Sequence, residues 1–430
     1  MALAVTDPVA GYPAPPRAGY LEVLRGNRNY RLLWSGDLVS LLGDWFNLIA
    51  SATLIGMLTQ SGAAVGGLLV VRWLAPFAVS PLAGVVADRF NRKHLLIAAD
   101  LIRAVVVLGF LFIRRPEQVW LLYVLTAVQL GISGFFFPAR NAILPSLVTP
   151  RELGAANAIS SATWSSMLAF GTALGGLVAG TFGLHVAFLI DAATFLASAA
   201  FISRIRYHAE AEVQAHAPGP GAVLRQYLAG LGFLRAHPGI LVLALQKPLY
   251  FLTCNGGFQV IMVTLAERVY AIGHGGGISM GLLFASVGVG TGLGPILART
   301  ITGDREPRMR VAVGSGYGVM ALGLGLVASL GPLPVILIGC LLQGFGGGMI
   351  WVFSTQLLLQ KVPGPVRGRV FSTEFALLTL LGAMCAATTG WAVDRPGWGL
   401  QPTIVVVALL PLLPATAWAL WLLRPAAREI

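Results

Sequence analysis

Gly84-Val85-Val86-Ala87-Asp88-Arg89-Phe90-Asn91-Arg92-Lys93 joins an apolar run over 65–87 to a second over 94–113. Each run has about the 20 apolar residues that an α-helix needs to cross a hydrocarbon core about 30 Å thick. The bend between them carries Asp88, Arg89, Arg92 and Lys93. Charges stay in water while apolar arms leave it, so this stretch reads as a helical hairpin with its turn at a membrane surface.

Outward from the hairpin the pattern repeats. Apolar runs bounded by Gly, Pro and charge clusters fall at 33–58, 65–87, 94–113, 119–143, 154–180, 185–203, 240–264, 276–300, 311–330, 333–358, 370–393 and 402–422. No stretch reads as a series of amphipathic strands. Lipid leaves each segment to satisfy its own backbone polar groups, so these are helices. The composition agrees, with 56% hydrophobic and 11% charged residues in 430 and a mean hydropathy of +0.79. A soluble chain carries about 25% charged residues, which excludes a water-soluble enzyme or nucleic-acid binder.

The formal charge of +12 would suggest nucleic acid in a soluble protein. Here its distribution gives another reason. Arg114, Arg115, Arg268 and Arg395 fall in loops of one side, and Arg72, Arg103, Arg140 and Lys247 fall within spans. The remaining Lys and Arg flank the spans on the side of the termini, which places both termini in the cytoplasm. The expectation is an all-α protein of the plasma (inner) membrane, multi-pass, with 12 transmembrane helices in two six-helix halves. Its segments are a cytoplasmic tail over 1–31, a half over 32–203, a cytoplasmic linker over 204–238 with a surface helix, a half over 239–423, and a tail over 424–430. The Pro-rich start to residue 20 has no continuous apolar core and reads as a disordered tail rather than a signal peptide. Leu147-Val148-Thr149-Pro150-Arg151-Glu152 after span four and Lys361-Val362-Pro363-Gly364-Pro365-Val366-Arg367 after span ten suggest a duplicated half.

The loop at 84–93 closely resembles the signature between helices two and three of the major facilitator superfamily, with Asn91 where the family has a second Gly. Tyr30-Arg31-Leu32-Leu33-Trp34, Leu42-Gly43-Asp44, Asp100 to Arg103, Phe137-Pro138-Ala139-Arg140 with Leu144-Pro145, Ala155-Ala156-Asn157-Ala158 and Arg367-Gly368-Arg369-Val370-Phe371-Ser372 look like its drug and siderophore exporter branch. The resemblance spans about 28–422 and implies a major facilitator fold that works by alternating access. Gly171-Thr172-Ala173-Leu174-Gly175-Gly176 is similar to the antiporter motif of exporters, with Thr172 where that motif has Pro. A small-residue face for close helix packing is the other reading of this segment.

Charges inside spans are informative because each costs about 2.5–3.5 kcal/mol at the bilayer centre unless paired or hydrated. Asp44 lies roughly 16 Å into span one, and is the candidate proton or cationic-substrate site. Asp37 shares its helix face closer to the surface. Asp100 and Arg103, spaced i, i+3, read as an ion pair. Lys247, ahead of Pro248 and Asn255-Gly256-Gly257, is available to an anion or an acid across the halves. Arg72 and Asp191 form a possible outer gate. Gly84, Asp88, Arg89, Arg92, Lys93 and Glu374 form the expected cytoplasmic gate. Trp34, Trp45, Trp73 and Tyr250 are candidates to stack on a flat organic substrate.

Cys254, Cys340 and Cys385 lie in apolar runs without C-x-x-C spacing, and the six His lie in loops or at run ends. No H-E-x-x-H or P-loop is present, so an embedded enzyme is disfavoured and no cofactor or metal is expected. The leading expectation is a secondary active transporter, monomeric, that exports an amphipathic small organic molecule by proton antiport. The expected partners are this substrate, protons and membrane lipid, with no nucleic acid. A lysolipid or lipid flippase of the same fold is the alternative, followed by a proton-coupled uptake transporter.

Overall fold

A computed structural model describes residues 19–207, 220–303 and 305–423, apart from a few side chains within helices, those of Gly84, Asp88 and Arg89 among them. All regular structure among the described residues is helical, and twelve helices are long and apolar enough to cross a membrane. They are α1 Arg28–Thr59, α2 Gly62–Arg89, α3 Arg92–Leu108, α4 Val119–Leu147, α5 Pro150–Phe182, α6 Leu184–Ser203, α7 Pro238–Arg268, α8 Gly277–Thr302, α9 Glu306–Ala328, α10 Leu333–Lys361, α11 Gly364–Asp394 and α12 Leu400–Leu422. They divide into two six-helix halves, α1 to α6 and α7 to α12. An even number of crossings puts Arg28 and Leu422 on one face, the terminal face; Thr59, Phe182, Arg268 and Asp394 end their helices on the opposite face.

The tail expected to reach residue 31 ends earlier. Tyr20–Gly26 is a short helix, and α1 begins at Arg28 because the Asn27 side chain caps it, accepting from the Tyr30 N–H at 3.0 Å. Asn27 also donates to the Leu147 carbonyl at 2.8 Å, tying the start of α1 to the end of α4. The stretches 1–18, 208–219 and 424–430 lie outside the described residues. The linker contributes a helix, Pro220–Ala236, which packs on α11 at Gly230, so close to Arg369 and Thr373 that a Cβ there would collide.

Helices in lipid gain little from burying apolar surface against each other, so they associate where small residues let backbones approach. The two halves meet in this way. Gly176 of α5 rests on Gly281 of α8, and a Cβ on either would meet the other helix's backbone. Gly62 of α2 rests on Gly390 of α11. Both contacts lie toward the opposite face, which is therefore the tighter end of the interface. Gly171 and Gly175 pack on Trp45 and Phe46 of α1, and Thr172 donates to its own helix at Leu168 O, 2.6 Å away. The antiporter-like segment thus acts here as a packing face. In α7, Phe251–Asn255 forms a π-turn just after Pro248, and seats the Phe251 ring edge-on to Trp73 of α2 at 5.1 Å, a contact between the halves.

Candidate functional site

A cavity of about 140 Å³ is walled by α1, α3, α4 and α5. From Trp34 and Asp37 it runs inward to Asp44, about 24 Å along α1 from Arg28 and near mid-depth. Its aromatic wall includes Trp34, Phe137 and Trp164; Trp34 Nε1 donates to Thr163 Oγ1 at 2.8 Å.

Arg140 Nε donates to Asp37 Oδ2 at 2.6 Å, and Ser160 Oγ accepts from Arg140 as well, so Asp37 is neutralised at the cavity mouth. Deeper, Arg103 closes onto Asp100 one turn away on α3, also donates to Ser133 Oγ at 3.3 Å, and lies between the Phe136 and Phe195 rings at 4.6 and 4.2 Å. Asp100 is fully buried and Arg103 is 2% exposed, so lipid-depth charge is held by pairing and by stacking on ring faces. Asp44 Oδ2 stands 4.0 Å from Arg103, and its side chain keeps 22% exposure in the cavity.

Arg72 and Asp191 belong to this same group. Asp191 packs beside Gly43 and Asn47 of α1, and the charges that act on Arg72 are Asp44 and Asp191. Both lie within the first half, so the pair faces Asp44 rather than bridging two moving bodies. Three carboxylates (Asp44, Asp100, Asp191) thus share two guanidiniums (Arg72, Arg103). Both oxygens of Asp191 and Oδ1 of Asp44 are sealed without a hydrogen-bond partner. Such a buried group is stable when a proton or a cation balances it.

Lys247 finds its acid within its own half. Its Nζ donates to Glu374 Oε2 at 2.9 Å, both side chains are buried, and Trp351 and Phe371 rings flank the ammonium at 4.9 and 5.5 Å. Glu374 is therefore engaged with Lys247 rather than with the 84–93 loop. Of the other expected gate residues, Arg92 donates to Ala142 O at 3.2 Å in the first half, and Lys93 to Ile205 O at 2.8 Å just past the end of α6. The side chains of Gly84, Asp88 and Arg89 lie outside the described residues. Tyr250 accepts from Asn255 Nδ2 at 2.9 Å and sits beside Phe251.

The sequence reading passed over a second set of charges, on the opposite face. Asp394, the last residue of α11, accepts from Ser61 Oγ at 2.7 Å and from the Gly62 and Ala63 N–H groups at 2.9 Å. These are the orphan donors at the start of α2, so one half caps a helix of the other. Arg268 of α7 donates to Asp394 at 3.2 Å and also to the Gln60 carbonyl. The nearest sequence signal was Asp394 itself, an isolated acid at the end of a span opposite the Ser61-Gly62 helix start. A capping oxygen is worth about 0.5–2 kcal/mol. Asp394→Ala is accordingly expected to shift the balance toward a form open on this face by about 2- to 30-fold. Spin labels at Phe182→Cys and Ile272→Cys read this as a longer distance distribution; an unchanged distribution rules the cap out as a seal.

Comparison with known proteins agrees with this architecture. Residues 33–373 match the model of the Major Facilitator Superfamily. An uncharacterised MFS-type transporter of Bacillus subtilis, YfiS, is 26% identical over 386 residues, covering 88% of this chain and 90% of that protein. Macrolide efflux protein A of Streptococcus pyogenes is 24% identical over 398 residues, covering 89% of this chain and 94% of its own length. A putative bacilysin exporter of Bacillus subtilis, BacE, is 30% identical over 188 residues, 43% of this chain and 46% of that protein. Among solved structures, a nucleoside transporter NupG mutant superposes with a TM-score of 0.71 at 13% identity, over 90% of this chain and 99% of the other. A bacterial homologue of ferroportin in its inward-facing state gives 0.68 at 15%, over 92% and 99%.

Proposed function

The chain belongs to the Major Facilitator Superfamily, and from that premise we propose that it is a secondary active exporter of an amphipathic, cationic organic molecule, driven by proton antiport. It works as a monomer in the plasma membrane, with the terminal face in the cytoplasm. The excess of Lys and Arg beside the spans on that face supports the orientation. The efflux and exporter names of two relatives support the direction.

The observation that carries the reading is the unbalanced carboxylate of the first half. Asp44 is the member of the three-acid group that lines the cavity, so it alternates between a proton and a cationic cargo. Either partner neutralises the group, and neither fits well beside the other, which couples their movements by competition. Aromatic walls at Trp34, Phe137 and Trp164 suit the apolar body of such a cargo. Alternating access then moves Asp44 between faces by rocking one half against the other.

Asp44→Asn tests this in proteoliposomes. An amide cannot cycle a proton, so efflux driven by a pH gradient is expected to fall by about 100-fold or more, while substrate still equilibrates down its own gradient. Gradient-driven efflux at the native rate would remove Asp44 from the coupling step. A growth-inhibition panel in a strain lacking its own pumps identifies the cargo, and a lysolipid in the vesicle panel tests the alternative substrate class.

A further inference from the structure

Glu267 sits one residue before the end of α7, at the seam where the halves close on the opposite face, and it has no ion partner among the described residues. Its carboxylate presses on Gly56 of α1, so closely that a Cβ at Gly56 would collide with all three carboxyl atoms. Oε1 is sealed from solvent and has no hydrogen-bond donor. Beneath it, Thr53 Oγ1 of α1 meets Met280 of α8 at 3.8 Å, and Thr53 is 1% exposed. Closing this face therefore moves a carboxyl from water into a contact between two halves that offers it no counter-charge.

Arg268, next along α7, is the one charge that acts on it, without pairing with it. On its own helix Arg268 is turned to Asp394 of α11 and to Gln60 O. The turn that abuts the Glu267 backbone at Gly276 begins with His274, which is exposed. The facing surface of α1 offers Gly56, Met57 and Thr53, none of which titrates. Half-buried with one oxygen sealed and unbonded, the ionised carboxylate is disfavoured relative to the neutral acid.

We propose that Glu267 is a proton-binding site of the extracellular gate: it takes a proton from the outside while the gate is open, and the gate closes over the neutral acid. The proposal rests on the orientation and alternating access argued above, but not on Asp44. It links proton arrival to the step that leads away from the outward-open state. Glu267 and the Asp394 cap thus have separate tasks, since the cap's acid has donors and a cation to hold it ionised, while Glu267 is left to report the pH.

The test reads access rather than transport. Thr53→Cys, beneath the seam, is labelled from outside with a membrane-impermeant maleimide in right-side-out vesicles, against the chain without that cysteine. Lowering the external pH from about 8 to about 5.5 is expected to slow labelling by about 5-fold or more beyond the loss of thiolate that the exposed Ile272→Cys shows over the same range, and every slope is taken relative to that reference. Glu267→Gln is expected to label slowly at every pH, and Glu267→Asp to keep a pH dependence. Glu267→Ala replaces the amide variant if that one does not accumulate in membranes, and should also lose the slope. A wild-type slope retained in the Gln or Ala variant, or no slope in the parent, overturns the proposal. Asp44 is intact in every arm, so a failure of its proton role leaves this result interpretable.

Discussion

Arg103→Ala is expected to cost about 3–5 kcal/mol of stability, the usual effect of removing one partner from a buried ion pair. Asp100, with no exposed surface, loses its guanidinium, and Asp44 loses the nearer of the cations acting on it. The Phe136 and Phe195 rings lose the planar group between them. Arg103→Lys should recover little, since an ammonium cannot fork to Asp100 and Ser133 while stacking on two rings. Adding Asp100→Ala to Arg103→Ala should restore part of the loss by removing the stranded acid. Thermal unfolding of the purified protein in detergent reads all three variants; an Arg103→Ala midpoint within a degree or two of the parent would mean that water already reaches Asp100.

The second large effect is expected at Lys247 and Glu374. Either residue replaced by alanine leaves its partner buried and charged, at about 3–5 kcal/mol each. Lys247→Met combined with Glu374→Leu keeps the volume and removes both charges, and should come within about 1 kcal/mol of the parent or exceed it. A double-mutant cycle of Lys247→Met and Glu374→Leu, singly and together, on unfolding midpoints separates this from simple loss of packing against Trp351 and Phe371. Additive single effects would show that the pair is not coupled. If the pair instead breaks during transport, the combined variant keeps its stability and loses turnover.

Depth was legible in the sequence, and azimuth was not. Hydropathy located all twelve spans because a run of apolar residues long enough to cross lipid has few other uses. Its errors lie at the ends: α1 starts at Arg28 rather than near 33, and α5 at Pro150 rather than near 154. Helices continue past the lipid boundary into polar residues that caps such as Asn27 hold in place. Which side of a helix faces which neighbour was hidden because helices buried among helices and lipid are apolar nearly all round. Asp100 and Arg103 were readable as a pair because they sit on one helix. Asp37 with Arg140, 103 residues apart, and Lys247 with Glu374, 127 apart, depend on tertiary packing. Asp394 and Arg268 looked like ordinary loop charges, since nothing in a linear chain shows that one helix end caps another.

The π-turn at Phe251–Asn255 inserts one residue more than an α-helical path requires. Each residue corresponds to about 100° around a helix axis. Expelling that surplus residue would unscrew the far segment of α7 by about that angle, taking Glu267 off Gly56 and Arg268 off Gln60 together. Such a register shift would add torsion within a single rod to any rocking of whole bundles, and would gear an aromatic contact at the membrane's middle to a latch at its edge.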